Sequence, residues 1–187
     1  LLFDLNNERN ITIITSFLAE TIGNVTSIDN ICKYTGISRH ETEKILTALK
    51  KTCVINQIQP FYRDKAKEII HAPKIYFTDN GIRNATLRKL EKEAILPDMG
   101  QLFENTVYTQ LMSKFKRGTI HYWRTQNKTE VDFVIEPVYS QLIAYEIKYF
   151  YHKDHLPKNM KSFSTVYKDH IQEAAVIHSE NYWRYLV

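Results

Sequence analysis

The stretch TEVDFVIEPVYSQLIAYEIKYF, residues 129–150, constrains the fold more than any other part of the chain. It holds two runs rich in Val, Ile, Phe and Tyr that are typical of β-strands, separated by a turn-forming segment at residues 137–141. Three charged residues, Asp132, Glu146 and Lys148, interrupt these runs. Strands that cover a core seldom carry charges there, so the three residues form either a solvated face or a site.

Composition and charge limit the classes of protein to which the chain can belong. At 187 residues and 43% hydrophobic content, it can form one core and a second small one, which predicts one or two domains. The net charge of +4 permits a nucleic-acid partner without demanding one. No apolar run approaches the ~20 residues of a membrane helix, so no membrane partner is expected. Cys32 and Cys53 lack the spacing of metal ligands, which predicts a reducing, cytoplasmic setting.

The first part of the chain predicts three helices followed by two strands. Apolar residues recur at helical spacing from Ile11 to Ile22, and Ser38 with Glu41 forms a capping box at the start of the third helix. Two β-rich runs follow within residues 53–79, with a hairpin tip at residues 64–68 between them. This order is typical of a winged helix-turn-helix.

We therefore predict a first domain of residues 1–95, with the winged helix at residues 9–78. The third helix of such a domain normally enters the DNA major groove. Its outward positions are the candidate nucleic-acid contacts: Arg39, His40 and Lys44. Glu41 and Glu43 oppose phosphate binding on the same helix, so the alternative is a packing or protein-contact module.

The second domain is predicted to span residues 96–187. Before it, a helix from Gly81 to Glu93 carries mixed charges that indicate a solvated face. From Met99 onward, a helix with an apolar stripe precedes three strands, a helix of weaker periodicity and a buried fourth strand. The predicted order of elements in this domain is therefore α-β-β-β-α-β.

The charges of the opening stretch fall close together once strand geometry is considered. Side chains alternate along a strand, so Glu146 and Lys148 point the same way. An antiparallel neighbour joined through residues 137–141 brings Asp132 alongside Glu146. Two carboxylates at that distance repel each other unless a cation lies between them. A hard divalent ion such as Mg²⁺ or Mn²⁺, which prefers oxygen ligands, satisfies that need.

An Asp, a gap of 13 residues and then Glu-Ile-Lys, preceded by a helix that bears a glutamate, resembles the PD-(D/E)xK nuclease-like superfamily. More narrowly, PKIYFTDNGIRNA, GQLFENTVYTQL, YWRTQNKTEVDFVI and YEIK together resemble the C-terminal part of a prokaryotic AAA+ ATPase family. In that family a nucleotide-binding domain precedes a winged helix and a nuclease-like domain of unknown function. The resemblance covers residues from about 9 to 150.

The resemblance implies a fold class and a set of roles. The fold is α/β (α+β): an N-terminal winged helix-turn-helix followed by a PD-(D/E)xK restriction-endonuclease-like α-β-β-β-α-β domain. Asp132 and Glu146 are implied metal ligands with Glu104 as a third, and Lys148 is the implied catalytic cation. Arg124, at a strand end, is a further candidate phosphate contact. The sequence holds no G-x-x-x-x-G-K-[ST] loop, so the ATPase domain of the parent chain is expected as a separate partner.

Each of these roles has a structural alternative. Glu104 also suits the first turns of a helix, where the dipole favours a negative charge. A cross-strand ion network is the alternative for Asp132, Glu146 and Lys148. A surface position on a strand is the alternative for Arg124. Two functions are therefore open: a Mg²⁺-dependent DNA nuclease, with Asp132, Glu146 and Lys148 as catalytic residues, or a non-catalytic DNA- or protein-interaction module that retains the fold.

Overall fold

The computed structural model describes residues 8–63, 72–116, 118–153 and 155–186. These residues form a mixed α+β structure with one two-stranded and one four-stranded sheet. They divide into two compact units, the first of residues 8–57 and 72–101 and the second of residues 58–63 and 102–186. The predicted domain boundary between residues 95 and 96 remains a prediction. Within the described ranges, no helix combines the length and the apolar character needed to cross a membrane.

Three helices begin the first unit: α1 (Glu8–Glu20), α2 (Ile28–Thr35) and α3 (Arg39–Lys51). Residues suited to helix ends separate them. Ser27 Oγ accepts a hydrogen bond from Asn30 N, and Gly36 ends α2 with a φ of 72°, which favours glycine. Ser38 Oγ accepts from Glu41 N at 3.3 Å and begins α3 at the predicted cap.

Two short strands, β1 (Ile55–Ile58) and β2 (Lys74–Phe77), form the two-stranded sheet. Val25, between α1 and α2, adds an antiparallel bridge to Lys74 of β2. Both strands are shorter than predicted. The first one ends early because Phe61 is buried in the core of the second unit instead of continuing the strand. The predicted hairpin tip at residues 64–68 lies outside the described residues.

The helix predicted from Gly81 to Glu93 is interrupted. The structure has α4 (Asn80–Thr86), α5 (Lys92–Ile95) and a 3-10 turn (Leu96–Asp98) in its place. Arg88 adopts a φ of 56°, which a continuous right-handed helix does not allow. The prediction of a solvated face is also wrong at Arg83, whose side chain is fully buried.

The second unit contains the predicted α-β-β-β-α-β order. Its elements are α6 (Met99–Lys114), β3 (Ile120–Arg124), β4 (Glu130–Val138), β5 (Gln141–Ile147), α7 (Lys158–Val166), a 3-10 turn (Lys168–His170), β6 (Ile171–Ile177) and α8 (Trp183–Leu186). The sheet has the order β3-β4-β5-β6. Its first three strands are antiparallel, whereas β6 runs parallel to β5. Because β5 and β6 run parallel, both strands finish at the same end of the sheet, at Ile147 and Ile177.

A helix packs on each face of this sheet. On one face, Met160 and Phe163 of α7 join a buried cluster with the sheet residues Val131, Val134, Leu142 and Ala144. On the other face, the ring of Phe133 stacks on Tyr108 of α6. Val131 and Val134 share a face although they are three residues apart, because the β3–β4 register shifts between His121 and Trp123. Strict alternation therefore does not hold next to Asp132.

Candidate functional site

Asp132 and Glu146 lie close together on neighbouring strands. The antiparallel register pairs Phe133 with Tyr145 and Val134 with Ala144. Asp132 and Glu146 each lie one residue beyond the Phe133–Tyr145 pair, and the charge of Asp132 acts on Glu146. The Asp132 carboxylate also accepts a hydrogen bond from Ile147 N at 2.8 Å, through Oδ2. This bond fixes the Asp132 side chain at the end of β5.

Glu146 is the buried centre of the group, with 4% of its surface exposed. Its Oε1 accepts from Lys148 Nζ at 2.7 Å, and its Oε2 accepts from Asn159 Nδ2 at 2.7 Å. Asn159 Nδ2 also donates to the carbonyl oxygen of Glu130, at 2.6 Å. Both Glu146 oxygens are therefore bound within the unit, one by a cation and one by an amide.

The charges in this group shift the pKa values of Glu146 and Lys148. Burial and, after it, the charge of Asp132 raise the pKa of Glu146 against the lowering effects of Lys148 and Asn159, and the net result is a pKa of about 7. Burial lowers the pKa of Lys148, but its hydrogen bond and attraction to Glu146, then the charges of Asp132 and Glu104, leave it raised overall. The charges of Glu146, Asp132 and Glu104 thus all act on the Lys148 ammonium.

Glu104 lies on α6, half-buried, and its charge acts on Lys148 as described above. The structure thus brings Glu104, Asp132 and Glu146 into the surroundings of a single lysine. Across the part of the chain that the structure describes, however, no group of three or more His, Cys, Asp or Glu side chains is arranged to hold a metal ion. The Mg²⁺ or Mn²⁺ site remains a prediction.

Sequence reasoning missed Asn159. This residue is the second in α7 and lies four positions before Phe163, which is buried against the sheet. Residues four apart share a helix face, so a polar side chain at that spacing from a core phenylalanine was the available signal. This spacing from Phe163 indicates that the Asn159 side chain is directed at the sheet.

The predicted nucleic-acid contacts belong to both units: Arg124 to the second, and Arg39, His40 and Lys44 to α3 of the first. Arg124 forms a cross-strand ion pair with Glu130 at 3.3 Å, between Nη1 and Oε2. In the first unit, Arg39 forms ion pairs with Asp29 at 2.6 Å and Glu43 at 3.0 Å. His40 and Lys44 are exposed on α3. Both arginines therefore already have carboxylate partners within their own units.

Two family models match the chain, and both describe domains of unknown function. Residues 99–184 match DUF4143. Residues 2–93 match DUF8612. The first match includes Glu146 and the residues around it, which are Glu104, Asp132, Lys148 and Asn159. The second match includes the three helices and the two-stranded sheet of the first unit.

Two curated proteins are similar to part of the chain: an uncharacterised protein of Mycobacterium bovis and one of Mycobacterium tuberculosis. Each is 27% identical over 123 residues, which is 65% of this chain and 28% of the relative. The chain thus aligns with little more than a quarter of each relative's length. No solved structure matches the chain.

Proposed function

We propose that the second unit is a Mg²⁺-dependent phosphodiesterase that acts on DNA. The observation that carries this proposal is the convergence of Asp132, Glu146 and Lys148 at one end of two paired strands, with Glu104 acting electrostatically on the same lysine. A buried carboxylate with a strongly raised pKa and named charge partners is typical of a functional site. Ion-pair networks can produce similar shifts, so the proposal requires a direct test.

The donor chemistry of this group fits a hard divalent cation. Carboxylate oxygens are the ligands that Mg²⁺ prefers, and a cation relieves the repulsion that raises the pKa of Glu146. Asp132 and Glu146 would hold the ion, with Glu104 as a further ligand directly or through water. A bound Mg²⁺ supplies a Lewis acid and a water of lowered pKa.

The remaining steps belong to side chains of this unit. Lys148, with 47% of its side chain exposed, can contact both Glu146 and a phosphate from solvent, and it offsets the negative charge that develops on the phosphate oxygens. Asn159 holds the Glu146 carboxylate at Oε2, and Ile147 N holds Asp132. The two acidic side chains are therefore oriented before a substrate arrives, which is what such catalysis requires.

The topology of both units supports the finer assignment. The α6-β3-β4-β5-α7-β6 order is that of a PD-(D/E)xK nuclease-like domain, which places the acidic residues on the second and third strands. In the first unit, three helices, a two-stranded sheet and the Val25 bridge to β2 support a winged helix. The longer relatives, and the match to a domain found in AAA-ATPase-associated proteins, support a parent chain with an ATPase domain.

The test is cleavage by the complete 187-residue chain. Single-stranded, double-stranded and branched DNA are incubated with Mg²⁺, Mn²⁺ or EDTA, and products are resolved on denaturing gels. We expect cleavage that depends on the metal and is reduced at least ~100-fold by Lys148→Ala, which removes a cation at the reacting phosphate, or by Asp132→Asn, which removes a charged ligand of the proposed ion. Lys168→Ala and Asp169→Asn are the matched controls, because both residues are exposed at the opposite end of the sheet.

A second candidate is favoured by one observation. Glu146, Lys148 and Asn159 already satisfy one another, and Arg39 of the first unit already binds two carboxylates. Such self-contained pairs suit a module that uses the fold for contact alone. A pure preparation that cleaves nothing, or Lys148→Ala and Asp132→Asn variants that cleave as fast as the native chain, would support this alternative over the nuclease.

A further inference from the structure

Aromatic side chains cover the edge of the second unit at which β5 and β6 end. They form a connected group, named here the aromatic surface: Phe103, Tyr149, Phe150, Tyr182 and Trp183. The Phe103 ring lies 5.7 Å from that of Tyr149 and 6.4 Å from that of Tyr182. The rings of Tyr149 and Phe150 are 4.5 Å apart, and those of Tyr182 and Trp183 are 5.8 Å apart.

Much of this surface faces solvent. Phe150 is 70% exposed, Trp183 is 49% exposed and Tyr182 is 43% exposed. Scattered exposed apolar residues are common on proteins, but three that belong to one group of contacting rings form a patch. Phe103 and Tyr149 beneath them are only half-buried. The exposed rings therefore extend outward from the half-buried ones, with edge-to-face contacts between them, and are not simply the margin of the core.

The aromatic surface is continuous with the candidate site. Phe103 precedes Glu104 on α6, while Tyr149 and Phe150 follow Lys148. Lys148 N donates to Ile177 O at 3.0 Å and Ser179 N donates to Tyr149 O at 3.3 Å, so the segments beyond β5 and β6 stay paired as they leave the sheet. The segments that carry Glu104 and Lys148 thus each also carry rings of the aromatic surface, whereas β4, which carries Asp132, does not.

Positively charged side chains flank the rings along the chain. Lys148 adjoins Tyr149, and Arg184 is exposed directly after Trp183. Lys153 is exposed beyond Tyr151. Aromatic rings that stack on bases, interleaved with cations that contact the backbone, are the features with which proteins bind single-stranded nucleic acid. Duplex DNA buries its bases and offers such rings nothing to stack on.

We propose that the aromatic surface binds the unpaired bases of a single DNA strand whose phosphates run past Lys148. This inference rests on the proposed function and adds the substrate class to it: single-stranded DNA, or DNA with unpaired bases beside the phosphate to be cleaved. Phe150 and Trp183, the most exposed rings of the surface, make the stacking contacts.

Binding is measured without catalysis, so that the two proposals can fail separately. The complete chain in EDTA is titrated into fluorescein-labelled oligothymidylate, into the same strand annealed to its complement, and into an abasic strand of equal length, and fluorescence anisotropy is recorded. The abasic strand keeps the phosphates and removes the bases. We expect the oligothymidylate to bind at least roughly tenfold more tightly than either of the others.

Variants locate the contact. Phe150→Ala and Trp183→Ala should each weaken oligothymidylate binding roughly five- to hundredfold and leave the weak duplex binding unchanged. Phe150→Tyr keeps a ring and should bind like the native chain. Tyr139→Ala is the matched control, since Tyr139 is 83% exposed in the turn between β4 and β5, at the opposite end of β5.

The inference is overturned if the duplex or the abasic strand binds as tightly as oligothymidylate, or if Phe150→Ala and Trp183→Ala bind normally. It is also overturned if these two variants alter sedimentation of the chain but not DNA binding, because the surface is then a protein contact. If single strands bind through these rings and no DNA is cleaved with Mg²⁺, the aromatic surface stands and the proposed nuclease falls. If Phe150→Ala and Trp183→Ala cleave DNA as fast as the native chain, the proposed nuclease stands and the aromatic surface is not where its substrate binds.

Discussion

Two groups of buried charges, one in each unit, show opposite electrostatics. In the first unit, Asp98 accepts from Arg83 at 2.8 Å and from Lys89 at 3.0 Å, so one carboxylate has two cations. In the second unit, Glu146 accepts from Lys148 at 2.7 Å, while the negative charge of Asp132 acts on the same carboxyl group. Burial alone raises the pKa of both carboxyl groups, yet the pKa of Asp98 is lowered overall whereas that of Glu146 rises to about 7.

The difference separates a structural ion cluster from a candidate site. In the first unit, the bonds from Arg83 and Lys89 favour the ionised form of Asp98, although Lys89 also pairs with Glu20 at 3.9 Å. In the second unit, burial and the charge of Asp132 disfavour the ionised form of Glu146, which a bound cation would favour. Groups held in this way are common where stability has been given up for function. The following predictions test whether the two groups differ as this comparison requires.

The largest effect is expected at Arg83. Its guanidinium is fully buried and donates to Ala19 O at 2.9 Å, to Asn84 Oδ1 at 3.1 Å and to Asp98, so Arg83→Met removes all three bonds and a buried charge partner. We expect the free energy of unfolding, from urea denaturation followed by circular dichroism, to fall by about 3–5 kcal/mol.

Arg39 provides the matched control for this prediction. It also binds two carboxylates, but its side chain is 59% exposed. Surface ion pairs contribute little, so Arg39→Met should reduce the free energy of unfolding by about 1 kcal/mol or less. Equal losses in the two variants would show that burial does not set the Arg83 group apart.

The second prediction concerns the pH dependence of stability at Glu146. Its folded pKa, about 7, lies above its unfolded value, so the folded state binds more protons than the unfolded state. The contribution to stability is fully present below the unfolded pKa and is lost as pH rises through 7. Glu146→Gln, measured in EDTA, should remove a decline on the order of 1–3 kcal/mol between pH 5 and pH 8.

The corresponding control is Glu173→Gln, on β6 of the same unit, whose side chain is bonded to Tyr145 instead of to a second carboxylate. We expect this variant to keep the native decline in stability between pH 5 and pH 8. If the native chain shows no such decline, or if Glu146→Gln keeps it, the pKa of Glu146 is not raised in the folded state.

Local patterns were sufficient to predict much of the second unit. Alternation and a short turn indicated an antiparallel β4–β5 pair, and that pairing alone brings Asp132 close to Glu146. The shift of register near Val131 was not predictable, because it is set by packing against β3 and α7. The burial of Arg83 depends on Ala19 and Asp98, which are distant from it in sequence. Contacts between residues far apart in sequence produce no periodic pattern around Arg83 from which its burial could be predicted.

The smallest effect, and the one opposite in sign, is expected at Asp98. Burial opposes ionisation of Asp98, but the hydrogen bonds and charges of Arg83 and Lys89 hold its pKa below the ordinary value. The stability it contributes is therefore present above the unfolded pKa and is lost as pH falls through the folded pKa. Asp98→Asn should lower the free energy of unfolding by about 1.5 kcal/mol at pH 7, the lower end of the range for a hydrogen bond to a charged group, and by less at pH 3. Urea denaturation at the two pH values measures this.

Glu146→Gln should change the dependence of the free energy of unfolding on pH near neutral pH, whereas Asp98→Asn should change it only in acid. The two variants therefore distinguish a carboxyl group whose pKa is raised on folding from one whose pKa is lowered. A loss at pH 3 as large as at pH 7 would contradict this account, since the ion pairs with Arg83 and Lys89 would then not be the source of the stabilisation.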